Sequence, residues 1–550
     1  MKGLRSFIVV VAASLLSVTL SAENEKEKNG YVTGSFETNT NVYLEDAVTM
    51  ATVPDSRFGS NNYLKVDYYN KRFSAGVQLE AYAPVAVGFP NILDKAALTN
   101  YYVAWTDEDF SVTAGTFYEQ FGSGLLFRSW EDRALGLNNS IMGARVAYNF
   151  RDIVAVKALW GMPRFGMKFS DTQVKGADAS FAISNLAGWS KVYLAIEGSV
   201  LGRYQALAQT ELAEGLNPNR TGYSARVNMD VDGFFFRGEY VDSGLSYFKN
   251  PDYGLDPDAF EFLQKKGNAQ LIETGYTGRG LGVSLSLRRL EWMNSVITSS
   301  GIGNTIMAPD VNLLNYVPAL CTQYTYMLTT LHPYSSFVGT LDELFMNSGE
   351  IGGQLDIFYN FRRGTVLGGK RGMKVHANFS TYYNLAEEGG FRTGNMMFRD
   401  LSIDVEKQWT KKFKSLLMWS MQEWNTSVGG ANMNTYLSNI FVADLLYKYT
   451  DSFSTRLELQ YLFTYEDQKD WMAALLEVNF APSWSVYVSD MYNHGGSGIH
   501  YYNGGFSYTK SRTRVSLSYG RYKAGKICSG GVCRTVPAYT GFNLGVTTSF

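Results

Sequence analysis

Apolar and polar residues alternate along most of this chain. The clearest run is Phe453 to Thr464. Phe453, Thr455, Leu457, Leu459, Tyr461 and Phe463 fall on one face, and Ser454, Arg456, Glu458 and Gln460 on the other. Successive side chains of a strand point to opposite faces, so the run predicts a strand with one greasy and one wet side. The same holds for Leu401, Ile403 and Val405 against Ser402, Asp404, Glu406 and Gln408, and for Ala225, Val227 and Met229 against Arg226, Asn228 and Asp230. Leu64, Val66 and Tyr68 interleave with Lys65 and Asp67. After the turn Asn70-Lys71-Arg72 the pattern resumes, with Phe73, Ala75, Val77 and Leu79 against Ser74, Gly76, Gln78 and Glu80, which predicts a hairpin. The last stretch alternates too: Thr540, Phe542, Leu544, Val546, Thr548 and Phe550 face away from Gly541, Asn543, Gly545, Thr547 and Ser549.

One such strand fits the edge of a soluble sandwich as well as the wall of a membrane barrel, in which the apolar face turns outward. Number and connectivity separate the two. About 24 strands are expected, from 30–42 to 538–550, with roughly 22 to 26 as the range. The eighth, 180–187, could instead be an irregular insertion. Short connections such as Asn70–Arg72, Asp107–Asp109, Ala481-Pro482 and Lys510-Ser511 alternate with long ones: 43–61, 83–97, 118–139, 202–220, 243–268, 292–348 and 523–537. This layout predicts an all-β, transmembrane, up-and-down antiparallel barrel with both termini on the short-turn, periplasmic side. A barrel also has no open edge to protect. Its diameter would be roughly 45–50 Å, too wide to stand open. Stretches 243–268 and 292–348 are therefore expected to constrict it, unless a partner protein plugs it. The stretch 292–348 is apolar between Val311 and Leu331, so a lumenal insert or a short helix is expected there.

Composition agrees. Aromatic residues make up 15% of the 550, with 37 Tyr and 34 Phe, as interfacial girdles require; net charge is −2, which argues against nucleic-acid binding. No linker or composition break divides residues 23–550, which read as one domain. Met1 to Ala22 reads as a secretory signal peptide: Lys2 and Arg5 precede the apolar Phe7–Leu20, with cleavage after Ser21 or Ala22. Export permits a disulfide between Cys528 and Cys533, which enclose the short loop CSGGVC. A metal site is the alternative, but two cysteines without a nearby histidine make a poor one. Cys321 is left over as a free, buried thiol.

The segment Thr116–Val146 departs from alternation. It sets Glu119, Arg128, Glu131, Asp132, Arg133 and Arg145 among aromatics and glycines. It reads either as a salt-bridged loop bracing the wall or as a lumenal insertion that contacts a ligand or partner. FYEQFGSGLLFRSWEDRALGLNNSIMGARV, the stretch Asn315-Tyr316-Val317-Pro318-Ala319 and the terminal CSGGVCRTVPAYTGFNLGVTTSF together resemble an uncharacterised family of large, porin-like outer-membrane β-barrel proteins of Gram-negative bacteria. The resemblance implies fold and location, and carries over no functional residues. The terminal strand is similar to the C-terminal assembly signal of such barrels, on which Phe542, Leu544, Val546 and Phe550 would be read by the assembly machinery.

Lumen-facing charges are expected at Lys65, Asp67, Glu80, Arg226, Asp230, Arg237, Glu239, Arg456 and Glu458. Their mixed signs do not indicate strong ion selectivity. Four histidines are present; His494 and His500 flank HGGSGIH with no carboxylate at a useful spacing. No catalytic triad, P-loop or dinucleotide fingerprint appears, so neither an enzyme nor a cofactor is expected. Glu23–Asn29 is too short for the plug of a TonB-dependent transporter. The first functional expectation is a diffusion or uptake channel. The second is a non-transporting structural or accessory subunit of an envelope assembly or secretion complex. Expected partners are outer-membrane lipid and lipopolysaccharide, the assembly machinery, and other envelope proteins or lipoproteins.

Overall fold

Alternation becomes hairpins, and hairpins become a closed wall. The computed structural model describes residues 30–51, 53–93, 95–204, 218–249, 262–293, 296–298, 311–322, 324–332, 334, 349–425, 435–530 and 532–550. The expected leader lies outside them, as do most of 202–220 and parts of 243–268 and 292–348.

Twenty-four antiparallel wall strands follow in chain order. The first half comprises β1 (Tyr31–Leu44), β2 (Phe58–Asn70), β3 (Phe73–Tyr82), β4 (Ala96–Thr106), β5 (Phe110–Phe117), β6 (Ile141–Phe150), β7 (Val154–Phe165), β8 (Gln173–Ala182), β9 (Val192–Tyr204), β10 (Asn219–Val231), β11 (Phe234–Lys249) and β12 (Phe262–Gly278). The second comprises β13 (Leu281–Glu291), β14 (Gly349–Phe361), β15 (Met373–Leu385), β16 (Thr393–Gln408), β17 (Phe413–Asn425), β18 (Thr435–Lys448), β19 (Phe453–Phe463), β20 (Trp471–Phe480), β21 (Trp484–Tyr492), β22 (His500–Lys510), β23 (Thr513–Tyr522) and β24 (Tyr539–Ser549). Each pairs with its neighbour in sequence. β24 returns to β1, from Ser35↔Ser549 to Leu44↔Thr540, so no edge remains.

Closure ends on Phe550. Its N–H donates to the Gly34 carbonyl at 2.9 Å, and Gly34 N–H donates back at 2.9 Å. The Phe550 ring lies where a Gly34 side chain would stand, 2.3 Å from an added Cβ, so only glycine fits beneath it.

The eighth strand differs from expectation. It occupies 173–182, and 183–187 forms a short helix, α1 (Ile183–Ala187), in the turn before β9. The cause is legible: β8 shows its outer face through Lys175, Ala177 and Ala179, too weak an apolar signal, whereas the greasier 181–187 attracted the assignment.

Along the other strands the outer face is apolar. A girdle at the short-turn end includes Trp105, Phe110, Trp189, Tyr276, Tyr359, Trp409, Tyr447 and Trp484; another near the long loops includes Trp160, Tyr204, Tyr223, Phe441 and Tyr502; Leu79, Ile196, Ile272, Leu417, Leu459 and Val488 lie between. All are exposed, and an apolar belt between aromatic girdles is the surface of a membrane-spanning barrel. No helix among the described residues is long and apolar enough to cross a membrane.

Candidate functional site

The inner face carries charge, and the charges answer one another. Lys65 and Asp67 lie 3.2 Å apart, and Asp67 also accepts from Tyr102 at 3.0 Å. Arg226 bonds Asp178, meets Glu197 at 2.8 Å and lies 4.0 Å from Glu239. Arg237 grips both oxygens of Asp230 at 2.8 Å. Arg456 meets Asp444 at 2.9 Å and Glu458 at 2.6 Å. Glu80 accepts two bonds from Arg164, both 2.7 Å, with the two side chains 1% and 2% exposed. A buried ion pair must be geometrically complete to offset its desolvation, and this one is bidentate.

Two long connections fold into this lumen. The first, residues 118–140, replaces expected loop by two miniature hairpins: Gln120–Phe121 pairs with Phe127–Arg128, and Glu131–Asp132 pairs with Leu137–Asn138. Glu119 bonds Arg145 of β6 and lies 3.1 Å from Lys157 of β7. Arg133 reaches Glu37 of β1 at 2.6 Å and Glu131 at 3.2 Å, and lies over the Tyr63 ring of β2 at 4.3 Å. Glu131 accepts from Gln78 of β3 at 3.2 Å, and Ser123 N–H donates to Glu239 of β11 at 3.2 Å. Asp132 accepts from the Leu135 amide at 3.1 Å and shapes the second turn. Burial alone would lower the Arg133 pKa, but the Glu131 and Glu37 carboxylates outweigh it and hold the guanidinium above its usual value. The seam between this insert, β2, β3 and β7 leaves a cavity of about 10 Å³, room for one water.

The second insert, described over 314–322, 324–332 and 334, runs along the opposite wall as extended chain and turns; no helix forms in that described part. Arg288 of β13 donates to the Pro318 carbonyl at 2.6 Å, and Tyr382 of β15 donates to the Leu320 carbonyl. Tyr324 donates to Asp404 of β16 at 2.9 Å, where His376 also lies 2.7 Å away; the other His376 nitrogen lies 2.6 Å from Asp356. Tyr326 donates to Asp444 of β18 at 3.4 Å. The Leu328 amide donates to Gln460 of β19 at 2.9 Å, and Tyr334 donates to Glu350 of β14. Tyr326 and Leu328 pack with Met418, Ile440, Val442, Leu462 and Trp471 of β17 to β20. Burial pushes the Tyr334 hydroxyl far up, with the Glu350 charge adding to it, so it stays a donor.

The inserts meet at Tyr316. Its amide donates to the Gly124 carbonyl at 2.9 Å, and the Arg128 amide donates to the Leu314 carbonyl at 2.8 Å. The Arg128 guanidinium lies 3.9 Å from the Tyr316 ring centroid, and Trp130 packs edge-on at 5.5 Å. A third element covers the ring from the hairpin Gly525–Ser529/Val532–Val536, whose register sets Cys528 opposite Cys533. Gly530 at its tip has φ 59°, accepts from the Val317 amide at 3.0 Å, and would press a side chain to 2.5 Å from the Tyr316 ring. The three stretches that carry the family resemblance thus converge on one tyrosine. Around them Phe121, Leu125, Leu126, Phe127, Leu314 and Val317 form an apolar core with inner-face residues of β7 to β13, inside the barrel.

Sequence reasoning named the nine wall charges but missed their partners Arg164, Asp178, Glu197 and Asp444, as well as the buried pair Arg288–Glu350. Arg288 offered a signal, because it stands at an inward position in an apolar strand. The reading of the histidine loop is corrected. Register brings Asp490 to 2.6 Å from His500 Nδ1, an exposed rim contact in which His500 stacks on Tyr492 at 3.9 Å. Among the described residues no cluster of three or more potential ligands could hold a metal ion.

Solved structures match most of the chain at low identity. The siderophore receptor PirA from Pseudomonas aeruginosa matches with TM-score 0.40 and 10% identity, over 96% of this chain and 81% of that one. The copper transporter OprC matches with TM-score 0.40 and 10% identity, over 96% and 82%. The P pilus usher PapC translocation pore matches with TM-score 0.44 and 8% identity, over 94% and 99%. No curated protein matches the chain. A model of a family of unknown function matches residues 1–550, and the chain belongs to that family, DUF6029.

Proposed function

We propose that the protein is an integral outer-membrane barrel, sealed by its own loops, that serves as a structural or accessory subunit of the cell envelope rather than as an open diffusion pore. The observation that carries this reading is the junction at Tyr316, where two inserts anchored on opposite walls lock together under a third element. Single-channel recording of the folded protein in a planar bilayer tests it. A silent bilayer with inserted protein is expected; regular conductance steps would sink the sealed reading.

A second reading, a channel whose plug is released on demand, is favoured by the way the second insert hangs. If Tyr324, Tyr326 and Tyr334 withdraw, Asp404 keeps His376, Asp444 keeps Arg456, and Glu350 keeps Arg288. None of these three carboxylates is left unpaired, so the tyrosine anchors can release at low electrostatic cost. Steps that appear only after a stimulus would select this reading.

Two further roles belong here. Phe542, Leu544, Val546 and Phe550 act as an assembly signal, with the Phe550 ring seated on Gly34 as its structural end-point. Phe550→Ala should lower the yield of folded, heat-modifiable barrel several-fold, and an unchanged yield rules the role out. Cys528 and Cys533 form a disulfide that stiffens the hairpin tip against Tyr316. Closing so short a loop contributes about 2 kcal/mol, and a cysteine pair that alkylates without reductant would exclude the bond.

A further inference from the structure

The short-turn rim is electrostatically lopsided. Turns 107–109, 151–152 and 232–233 carry Asp107, Glu108, Asp109, Asp152 and Asp232 against a single cation within the turns, Arg151. The next three turns, 279–280, 362–372 and 409–412, carry Arg279, Arg362, Arg363, Lys370, Arg371, Lys411 and Lys412 and no acid. These turns are neighbours, because β12 to β17 pair consecutively. All seven cations are exposed. No carboxylate among the described residues lies within ion-pair distance of Arg279, Arg362, Arg363, Lys370 or Arg371.

The turn 362–372 is ordered, and it leans outward. Gly364 N–H donates to the Gly369 carbonyl at 2.7 Å, and Gly372 N–H to the Gly368 carbonyl at 2.8 Å. Lys407 Nζ donates to the Leu367 carbonyl at 2.9 Å. Lys407 stands on the outer face of β16, in step with exposed Ile403, and its ammonium lies 4.8 Å over the Trp409 ring. Trp409 in turn lies across the outer wall and donates to Ser415 of β17 at 2.8 Å. The tip of the turn is therefore drawn onto the apolar side of the wall, where Val366 is 100% and Leu367 53% exposed. Apolar tips flanked by cations and a tryptophan suit the headgroup boundary of a bilayer, where a soluble acidic partner would leave Val366 and Leu367 in water.

We infer that this sector of the rim binds anionic phospholipid headgroups, with Arg362, Arg363, Lys370 and Arg371 on the phosphates and Val366 and Leu367 entering the acyl boundary. The inference rests on the membrane-barrel reading above. It makes the barrel's lipid contact asymmetric, with one basic, acid-free arc and one acid-rich arc.

The test is reconstitution of the full chain in vesicles of equal phosphatidylglycerol and phosphatidylcholine, followed by mild detergent extraction and native mass spectrometry of retained lipid. Wild type should retain phosphatidylglycerol preferentially. The variant Arg362→Gln/Arg363→Gln/Lys370→Gln/Arg371→Gln should lose about tenfold in that preference, and the rim control Lys510→Gln/Arg512→Gln should keep it. If the fourfold variant does not fold, wild type itself decides: its preference should collapse between about 0.05 M and about 0.5 M salt. Equal retention of both lipids, equal loss in both variants, or a salt-independent preference overturns the inference and leaves the barrel reading intact. Retention of neither lipid also overturns the inference, and only failure of the folded chain to insert into the vesicles removes the barrel reading as well.

Discussion

The insert after β5 meets the wall through ionised groups: Glu119 on Arg145 and Lys157, and Arg133 on Glu37. The insert after β13 meets it through phenols and amides: Tyr324 on Asp404, Tyr326 on Asp444, and Tyr334 on Glu350. The difference lies in what each leaves behind. Withdrawing Glu119 strands two cations side by side, whereas withdrawing the tyrosines leaves carboxylates that already hold a cation or histidine. By this measure the first insert is the more firmly charge-anchored frame and the second the one that would release more readily, although both fill the same lumen.

The largest effect is expected where the second insert's anchorage rests on a buried charge. Glu350 is 0% exposed, and its removal would leave Arg288 buried without its carboxylate. Glu350→Ala should cost about 3–5 kcal/mol, read as a lower denaturant midpoint, with faster hydrogen exchange in 314–334 and not in 118–140. Equal acceleration in both would erase the proposed distinction. Next comes Tyr316→Ala, which removes the ring shared by Arg128, Trp130 and Gly530. It should cost about 3 kcal/mol and loosen both inserts at once. Cys321 reports the loosening: burial pushes its thiol up to about 12, with the Asp400 and Glu350 charges adding, so it stays protonated near neutral pH. Alkylation of Cys321 should be slow in wild type and fast in Tyr316→Ala.

The same contrast explains what the sequence disclosed. Wall strands were legible because lipid on one side and polar lumen on the other force a period of two, as in Phe453–Phe463. The first insert was visible as an anomaly, since Glu119, Arg128, Glu131 and Arg133 have no place in an alternating strand. The second showed only as an apolar stretch, because tyrosines that hydrogen-bond inward look like tyrosines that face lipid. Which carboxylate each finds depends on register between strands tens of residues apart, and no local pattern encodes that. Asp490 beside His500 and Arg164 beside Glu80 were hidden for the same reason.

A smaller effect should mark the frame. Glu119→Ala leaves Arg145 and Lys157 unpaired, but both are partly exposed, so water takes over some of the lost stabilisation. About 1–2 kcal/mol is expected, with hydrogen exchange rising in 118–140 alone. A loss as large as that of Glu350→Ala would mean that solvent does not reach those cations.

Acid should loosen the detachable half and spare the frame, by the smallest margin of the four. His332 stacks on Trp424 at 5.1 Å and lies 3.2 Å from Asp467. Burial lowers its pKa; Asp467 pulls it up, and Lys523 pushes it further down. A histidine depressed in the folded state binds fewer protons than in the unfolded chain. Its contribution is complete above the unfolded value near 6.5 and declines as pH falls through the window below it. Protection factors in 324–334, corrected for the intrinsic pH dependence of exchange, should therefore fall as pH drops below about 6.5, while those of 118–140 hold steady. His376, set between Asp356 and Asp404, lies on the wall behind the same insert, so the variant His332→Gln isolates the His332 share. If that variant keeps the full acid response, the sensitivity belongs to the His376 cluster and His332 is only a stacking partner of Trp424.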